Sequence, residues 1–181
     1  EMARWTSFKP CCVFNAADLQ GEGLAEAIDA AMGTTPRPEA ERIAQAEKVL
    51  TAWQVRTAFG GDRAFYAPEP DTIAVPTLAS FESAEAFYAT WAHECIHSTG
   101  HKDRLGRDLY NSFGSDGYAR EELVAELGAV MLCARLEISS DFQNHAAYLS
   151  HWAKILKQGP KVLYKILGDA RKAADLICPE A

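Results

Sequence analysis

The strongest chemical signal lies near the middle of the chain, in the run His93-Glu94-Cys95-Ile96-His97. On an α-helix, at about 100° per residue, positions four apart lie about 40° apart and one turn up. Both imidazoles can therefore reach a single ion, at the roughly 2.0–2.1 Å of a zinc–nitrogen bond. Glu94 points about 100° to the side, where its carboxylate can take a proton from a water bound to that ion. Two histidines do not complete a tetrahedral site. A third protein ligand is required, with the fourth position left for water. The pattern points to Zn²⁺ held by His93 and His97, with Glu94 as catalytic base.

Four residues compete for the third position. Glu122 and Glu126, in the run Glu121-Glu122-Leu123-Val124-Ala125-Glu126, lie four apart on one helical face. One can bind the ion while the other orients a ligand histidine from behind. This layout resembles the gluzincin arrangement, and Glu122 is the preferred ligand with Glu126 as its alternative or support. Asp103 is the next candidate, because His93 to Asp103 reads H-E-x-x-H-x-x-G-x-x-D and is similar to the metzincin consensus with Asp for the last His. His101 is the fourth and requires a helix break at Gly100. Cys95 faces away from both histidines and is expected in the core. Tyr110 and Tyr118 flank the following loop, where either could donate a hydrogen bond to a developing oxyanion. Arg104, Arg107 and Arg120 are expected to pair with Asp108, Asp116 or Glu121 on a solvated face.

The motif needs a helix, and its surroundings supply one. Ser83 can cap a helix that runs through the motif and stops at Gly100. A polar loop to Gly117 leads to a second amphipathic helix over 119–136, carrying Leu123, Val124, Leu127, Val130 and Met131 on one face. Two more helices are expected, over about 144–157 and after Gly159-Pro160. Upstream, a helix with Ile43, Ala46, Val49 and Leu50 on one face follows Pro36 and Pro38, preceded by a short strand at Cys12-Val13-Phe14 and a helical turn over 24–32. Between these, the alternation of Trp53, Val55, Thr57 and Phe59 and the runs 64–67 and 72–75, separated by turn residues, suggest a small antiparallel meander. Pro76 after the last run suggests a sheet edge. The composite is α+β, a small sheet followed by helices.

Composition sets the outer limits. The chain has 181 residues, 48% hydrophobic and 24% charged, in the range of an ordinary globular domain. Eighteen Lys+Arg against 25 Asp+Glu give a formal net charge of −7, which argues against a general electrostatic footprint for nucleic acid. Five cysteines with no C-x-x-C spacing make neither a disulfide framework nor a cysteine zinc site, so core thiols in a reducing, cytoplasmic compartment are expected. The sequence holds no apolar stretch of about 18 residues, the length a membrane helix needs.

The run Gly61-Asp62-Arg63-Ala64-Phe65-Tyr66, then Asp71-Thr72-Ile73, Phe81 to Glu85, the stretch from His93 to His101 (HECIHSTGH), Arg104-Leu105, Arg107-Asp108, Phe113-Gly114-Ser115, Tyr118 to Gly128 and Asn144 to Tyr148 together resemble the metallopeptidase domain of ArdC-type antirestriction proteins. The similarity covers nearly the whole chain from about Val13. Cys95 stands where relatives carry an apolar residue. The resemblance implies a zincin-like fold, usually C-terminal to a single-stranded-DNA-binding domain, in proteins of plasmids and other mobile elements that help incoming DNA escape restriction.

The expectation is therefore one zincin-like domain over residues 1–181, the C-terminal part of a longer protein. Its expected function is zinc-dependent cleavage of a protein or peptide substrate in the service of antirestriction, with no nucleic acid bound through this domain alone and no membrane. The alternative is a zincin-fold module that engages host or restriction proteins without proteolysis.

Overall fold

The structure, a computed structural model, describes residues 38–138 and 159–179, with Gly21, Ala153 and Lys157. The chain divides into two compact units, Glu1–Pro36 and Arg37–Ala181, and apart from Gly21 the described residues belong to the second. The expected strand at 12–14, the helical turn over 24–32 and the helix over 144–157 lie outside the described residues.

In chain order the elements are α1 (Glu39–Ala52), β1 (Arg56–Phe59), β2 (Phe65–Ala67), β3 (Thr72–Val75), α2 (Ala84–Thr99), α3 (Asp116–Leu136) and α4 (Pro160–Ile177). Local chemistry sets their ends. Ser83 caps α2 by accepting from the Ala86 backbone N–H, and Ser115 caps α3 by accepting from that of Tyr118. Pro160 sits in the first turn of α4, where its missing N–H costs no helical bond. Gly100 ends α2. A Cβ there would stand 2.8 Å from Leu109 and 3.1 Å from the Arg107 guanidinium, so glycine lets the next loop fold back against the helix end.

The sheet departs from the expected antiparallel meander. Its order is β1-β3-β2, with β3 parallel to β1 (Arg56↔Thr72 to Phe59↔Val75) and antiparallel to β2 (Phe65↔Ala74 to Ala67↔Thr72). Burial decides the order. β3 carries Ile73 and Val75, both fully buried, whereas β1 and β2 are mostly exposed or half-buried, so the most apolar strand takes the centre. Gly60 and Gly61, at φ 140° and 75°, turn the chain out of β1 instead of closing a hairpin. Pro76 thus terminates the central strand and does not mark an edge. The edge beside the HECIH helix is β2.

α2 lies at the heart of the unit and packs against α1, α3, α4, β2 and β3. Phe87, Trp91, Ala92, Cys95 and Ile96 place it in a core shared with Leu50, Ile73, Val75, Leu132 and Leu136. Cys95 and Cys133 are buried free thiols, as a core role requires. Gly128 on α3 brings two helices close: a Cβ there would lie 2.8 Å from Ile96 Cγ2 and 3.3 Å from the Ala170 carbonyl of α4.

The turn from β2 to β3 is tied to the loop after α2 by one arginine. Arg104 donates from Nε to the Ser98 carbonyl (2.7 Å), from Nη1 to Asp71 Oδ2 (3.0 Å) and from Nη2 to the Tyr66 hydroxyl (3.2 Å). Tyr66 donates its hydroxyl to Asp71 Oδ1 at 2.6 Å, and Asp71 itself adopts a left-handed φ of 47°. Arg104 therefore does not pair with Asp108, Asp116 or Glu121. Its hydrogen bonds hold the Asp71 carboxyl below its ordinary value against the opposing effect of burial. An acid with a depressed folded-state pKa adds stability above its unfolded pKa and loses it as pH falls through the folded one. Asp71→Asn should thus lower the melting temperature at pH 7, and the difference from wild type should shrink as pH drops below about 4. A thermal melt series across that range measures it.

Candidate metal centre

His93 and His97 project from α2 one turn apart, and Glu122 from α3 faces them. Among the described residues these three form the one group whose ligand atoms all lie within 4.8 Å of one another. The two Nε2 atoms are 3.1 Å apart, with Glu122 Oε1 3.5 Å from His97 Nε2 and Oε2 4.0 Å from His93 Nε2. In a tetrahedral site with bonds of about 2.0–2.1 Å, neighbouring ligand atoms are separated by roughly 3.3–3.5 Å. Two imidazole nitrogens and a carboxylate oxygen at these separations fit a divalent cation.

Each histidine has a carboxylate behind it. Glu121 Oε1 stands 3.1 Å from His97 Nδ1, and Glu126 Oε1 stands 3.7 Å from His93 Nδ1. A carboxylate on Nδ1 fixes the proton there and turns the Nε2 lone pair toward the ion. Glu121 is locked in turn by Arg107, which donates from Nε to Oε2 (2.9 Å) and from Nη2 to Oε1 (2.8 Å). The same guanidinium donates from Nη1 to Thr99 Oγ1 and from Nη2 to the Ile96 carbonyl, both at 2.8 Å.

The expected solvated pairing of Arg107 is therefore corrected. Arg107 and Glu121 are each only 10% exposed at the side chain. The reason is geometric: Glu121 and Glu122, adjacent on α3, both face inward because α3 is packed by α2 on one side and α4 on another. Reading the sequence by a single apolar face misses such a wide buried arc, and nothing in the spacing singles out Glu121 from its neighbour.

The electrostatics follow from burial. Glu94 is 7% exposed. Desolvation, reinforced by the Glu122 charge, pushes it up to about 7, against the opposing pull of His97 and the Tyr66 backbone N–H. Glu126 also rises to about 7, through burial and the charges of Glu122 and Glu94. Burial would raise Glu121 too, but the Arg107 hydrogen bonds and charge hold it below the ordinary range. For His97 burial lowers the pKa, yet the bond to Glu121 and the charges of Glu94, Glu121 and Glu122 raise it overall. The pocket is short of positive charge, the deficit a divalent cation removes.

The other candidates fall elsewhere. His101 and Asp103 sit in the turn after Gly100 and face each other, with His101 Nδ1 3.5 Å from Asp103 Oδ2, and neither joins the group of three. Tyr118 lines the cleft above the histidines; Tyr110, 73% exposed, is not in its lining. That cleft, of about 460 Å³, is bounded by β2 residues Phe65 and Tyr66 on one side and loop residues Leu109, Asn111 and Phe113 on the other.

The model of the zincin-like metallopeptidase family matches residues 44–167, a span that contains every residue of this site. The chain belongs to that family. It is 41% identical over 166 residues to DNA primase TraC of Escherichia coli, covering 91% of this chain and 15% of the primase. It is 36% identical over 176 residues to the uncharacterized protein y4eC of Sinorhizobium fredii (strain NBRC 101917 / NGR234), covering 97% of this chain and 55% of that protein. Among solved structures it is similar to antirestriction ArdC from plasmid R388. The Mn(II)-bound form matches with TM-score 0.67 and 38% identity over 80% of this chain and 53% of ArdC, the metal-free form with TM-score 0.64 and 40% identity over 80% and 51%. The chain thus spans about half the length of ArdC and y4eC, and a small fraction of the primase.

Removing Glu122 should differ from removing its neighbours. Glu122→Ala is expected to lose stoichiometric metal, whereas Glu121→Gln and Arg107→Ala should keep the site and weaken it about 10–100-fold, the usual effect of altering a ligand's support. Competitive metal titration of the three variants reads the difference directly.

Proposed function

We propose that this zincin-like unit is a zinc-dependent peptidase, with His93, His97 and Glu122 as ligands and Glu94 as general base. The observation that carries the reading is Glu94 itself. It is buried beside the three ligand residues in the wall of the same cleft, below an edge strand that could hold an extended peptide. When bound, a divalent cation polarises a carbonyl and lowers the pKa of a water ligand.

The chain's own groups supply the rest. Glu94 would accept a proton from the attacking water and deliver it to the leaving amine. An extended substrate would pair main chain to main chain along the outer edge of β2, which no strand covers among the described residues. Arg107 and Glu121 keep His97 in the tautomer that presents Nε2. Tyr118, in the cleft lining, is placed to donate to a developing oxyanion. Asp103 and His101 remain outside this scheme.

Zinc is the favoured ion, since two imidazoles and one carboxylate leaving an open position is the usual arrangement of a catalytic zinc site. The Mn(II)-bound form of ArdC supports a divalent cation in this fold. The likeness to ArdC, an antirestriction protein of plasmid R388, also supports antirestriction on a mobile element as the biological setting; a cytoplasmic protein with a separate DNA-binding domain is part of the same proposal. Among the described residues no helix is long and apolar enough to cross a membrane.

Glu94→Gln separates chemistry from binding. The variant should retain one equivalent of metal and lose roughly 10²–10⁴-fold in peptide cleavage. Full proteolysis in this variant would remove Glu94 from the mechanism. Intact antirestriction alongside lost cleavage would favour a binding module.

A further inference from the structure

Of three large apolar side chains that the fold leaves exposed on β2 and the loop before α3, two line the cleft above His93, Glu94 and His97. Phe65 on β2 is 49% exposed, and Tyr110 and Phe113 in the loop before α3 are 73% and 82% exposed. Phe65 and Phe113 line the cleft directly, together with Leu109, Pro68 and Tyr118. None of the three belongs to either apolar core cluster, so packing does not explain them. Phe59, comparably exposed at 51%, contrasts with them, because its ring is packed against Phe87 and Trp91. The Phe113 ring lies 5.1 Å from that of Tyr118, which holds it at the cleft. Isolated apolar side chains are ordinary on a surface, whereas a set gathered at the mouth of a polar cleft marks a place where a ligand is bound.

The floor of the same cleft has the opposite character. It is lined by Glu94, Glu121 and Glu122, and histidines apart its one basic residue is Arg63. Aromatic side chains beside an arginine can stack nucleic-acid bases. Here, however, Arg63 is the single Lys or Arg among the described lining residues, and a groove that tracks a phosphate backbone needs several. A peptide, neutral along its main chain, needs no such basic track.

We propose that the cleft selects peptides bearing a large apolar side chain, aromatic or leucine-like, beside the bond presented to Glu94, with that side chain seated against Phe65 and Phe113. This assignment rests on the peptidase reading for the position of the bond but draws its selectivity from the rim alone. A peptide in β form along β2 sends alternate side chains to opposite faces, so one residue in two can meet the aromatic pair. An acidic residue at that position would lose hydration against the aromatic pair and be disfavoured.

The test compares matched peptides differing only at that position (Phe, Leu, Ala or Asp) on the zinc-loaded chain. Cleavage of the Phe and Leu peptides should exceed that of the Ala peptide roughly ten-fold or more, with Asp slowest. Phe113→Ala and Phe65→Ala should each collapse the Phe/Ala ratio toward one with metal content unchanged. Phe113→Leu should restore most of the ratio, and Tyr164→Ala, an exposed aromatic on α4, should leave it intact. The same peptides are also titrated by fluorescence anisotropy onto zinc-loaded Glu94→Gln protein, where the order of affinity should match. Cleavage that ignores the varied residue overturns the proposal and leaves the peptidase reading standing. Ordered binding without any cleavage by the wild type supports it while overturning that reading. Displacement of the Phe peptide by a single-stranded oligonucleotide at equal concentration, with no preference among the peptides, assigns the rim to bases and overturns it.

Discussion

A concentration of buried negative charge organises this unit. Glu94, Glu121 and Glu126 are each less than a tenth exposed, and Glu122 stands among them, with Arg107 paired to Glu121. Burial raises the pKa of Glu94 and of Glu126, the Glu122 charge raises both further, and against burial the facing carboxylates hold His97 above its ordinary value. Such an arrangement is unfavourable unless a cation completes it. The fold accepts the cost because α2 and α3 approach closely at Gly128 and Ile96, which sets the two histidines against the carboxylates of the facing helix.

Support for the pair of histidines is unequal. His97 has a hydrogen-bonded carboxylate locked by a buried guanidinium, which itself holds the end of α2 through Thr99 and the Ile96 carbonyl. His93 faces Glu126 at 3.7 Å, and burial pushes that carboxyl up to about 7. A second arginine, Arg104, does similar work on the other flank. It joins the C-terminal end of α2 to Tyr66 and Asp71, and so fixes the edge strand over Glu94. Both arginines come from the one loop that Gly100 releases.

Much of this was legible in the residue pattern, and the parts that were not share a cause. The HECIH spacing, the Ser83 cap, the stop at Gly100 and the facing acidic helix depend on local geometry, and local geometry is written in the sequence. The three β runs were placed within a few residues, yet their order was not, because strand order depends on which run is buried deepest. Ile73 and Val75 decided that, and alternation in short runs cannot rank them. The roles of Arg107 and Glu121 were hidden for a similar reason. Whether a charged pair is solvated or buried depends on the third helix that covers it, and no single helix face announces that neighbour. The preference for Glu122 over Glu126, Asp103 and His101 rests on resemblance and helix periodicity; among the described residues Glu122 is the acid that groups with both histidines.

The central claim is that one divalent cation sits between α2 and α3 on His93, His97 and Glu122. Anomalous diffraction at the zinc edge, on crystals grown with one equivalent of Zn²⁺, tests it most directly. The account predicts a single strong peak about 2.0–2.2 Å from His93 Nε2, from His97 Nε2 and from a Glu122 carboxylate oxygen, with Glu121 and Glu126 behind the histidines. A peak coordinated by Glu126, Asp103 or His101 in place of Glu122, or no peak at the histidine pair, would contradict it.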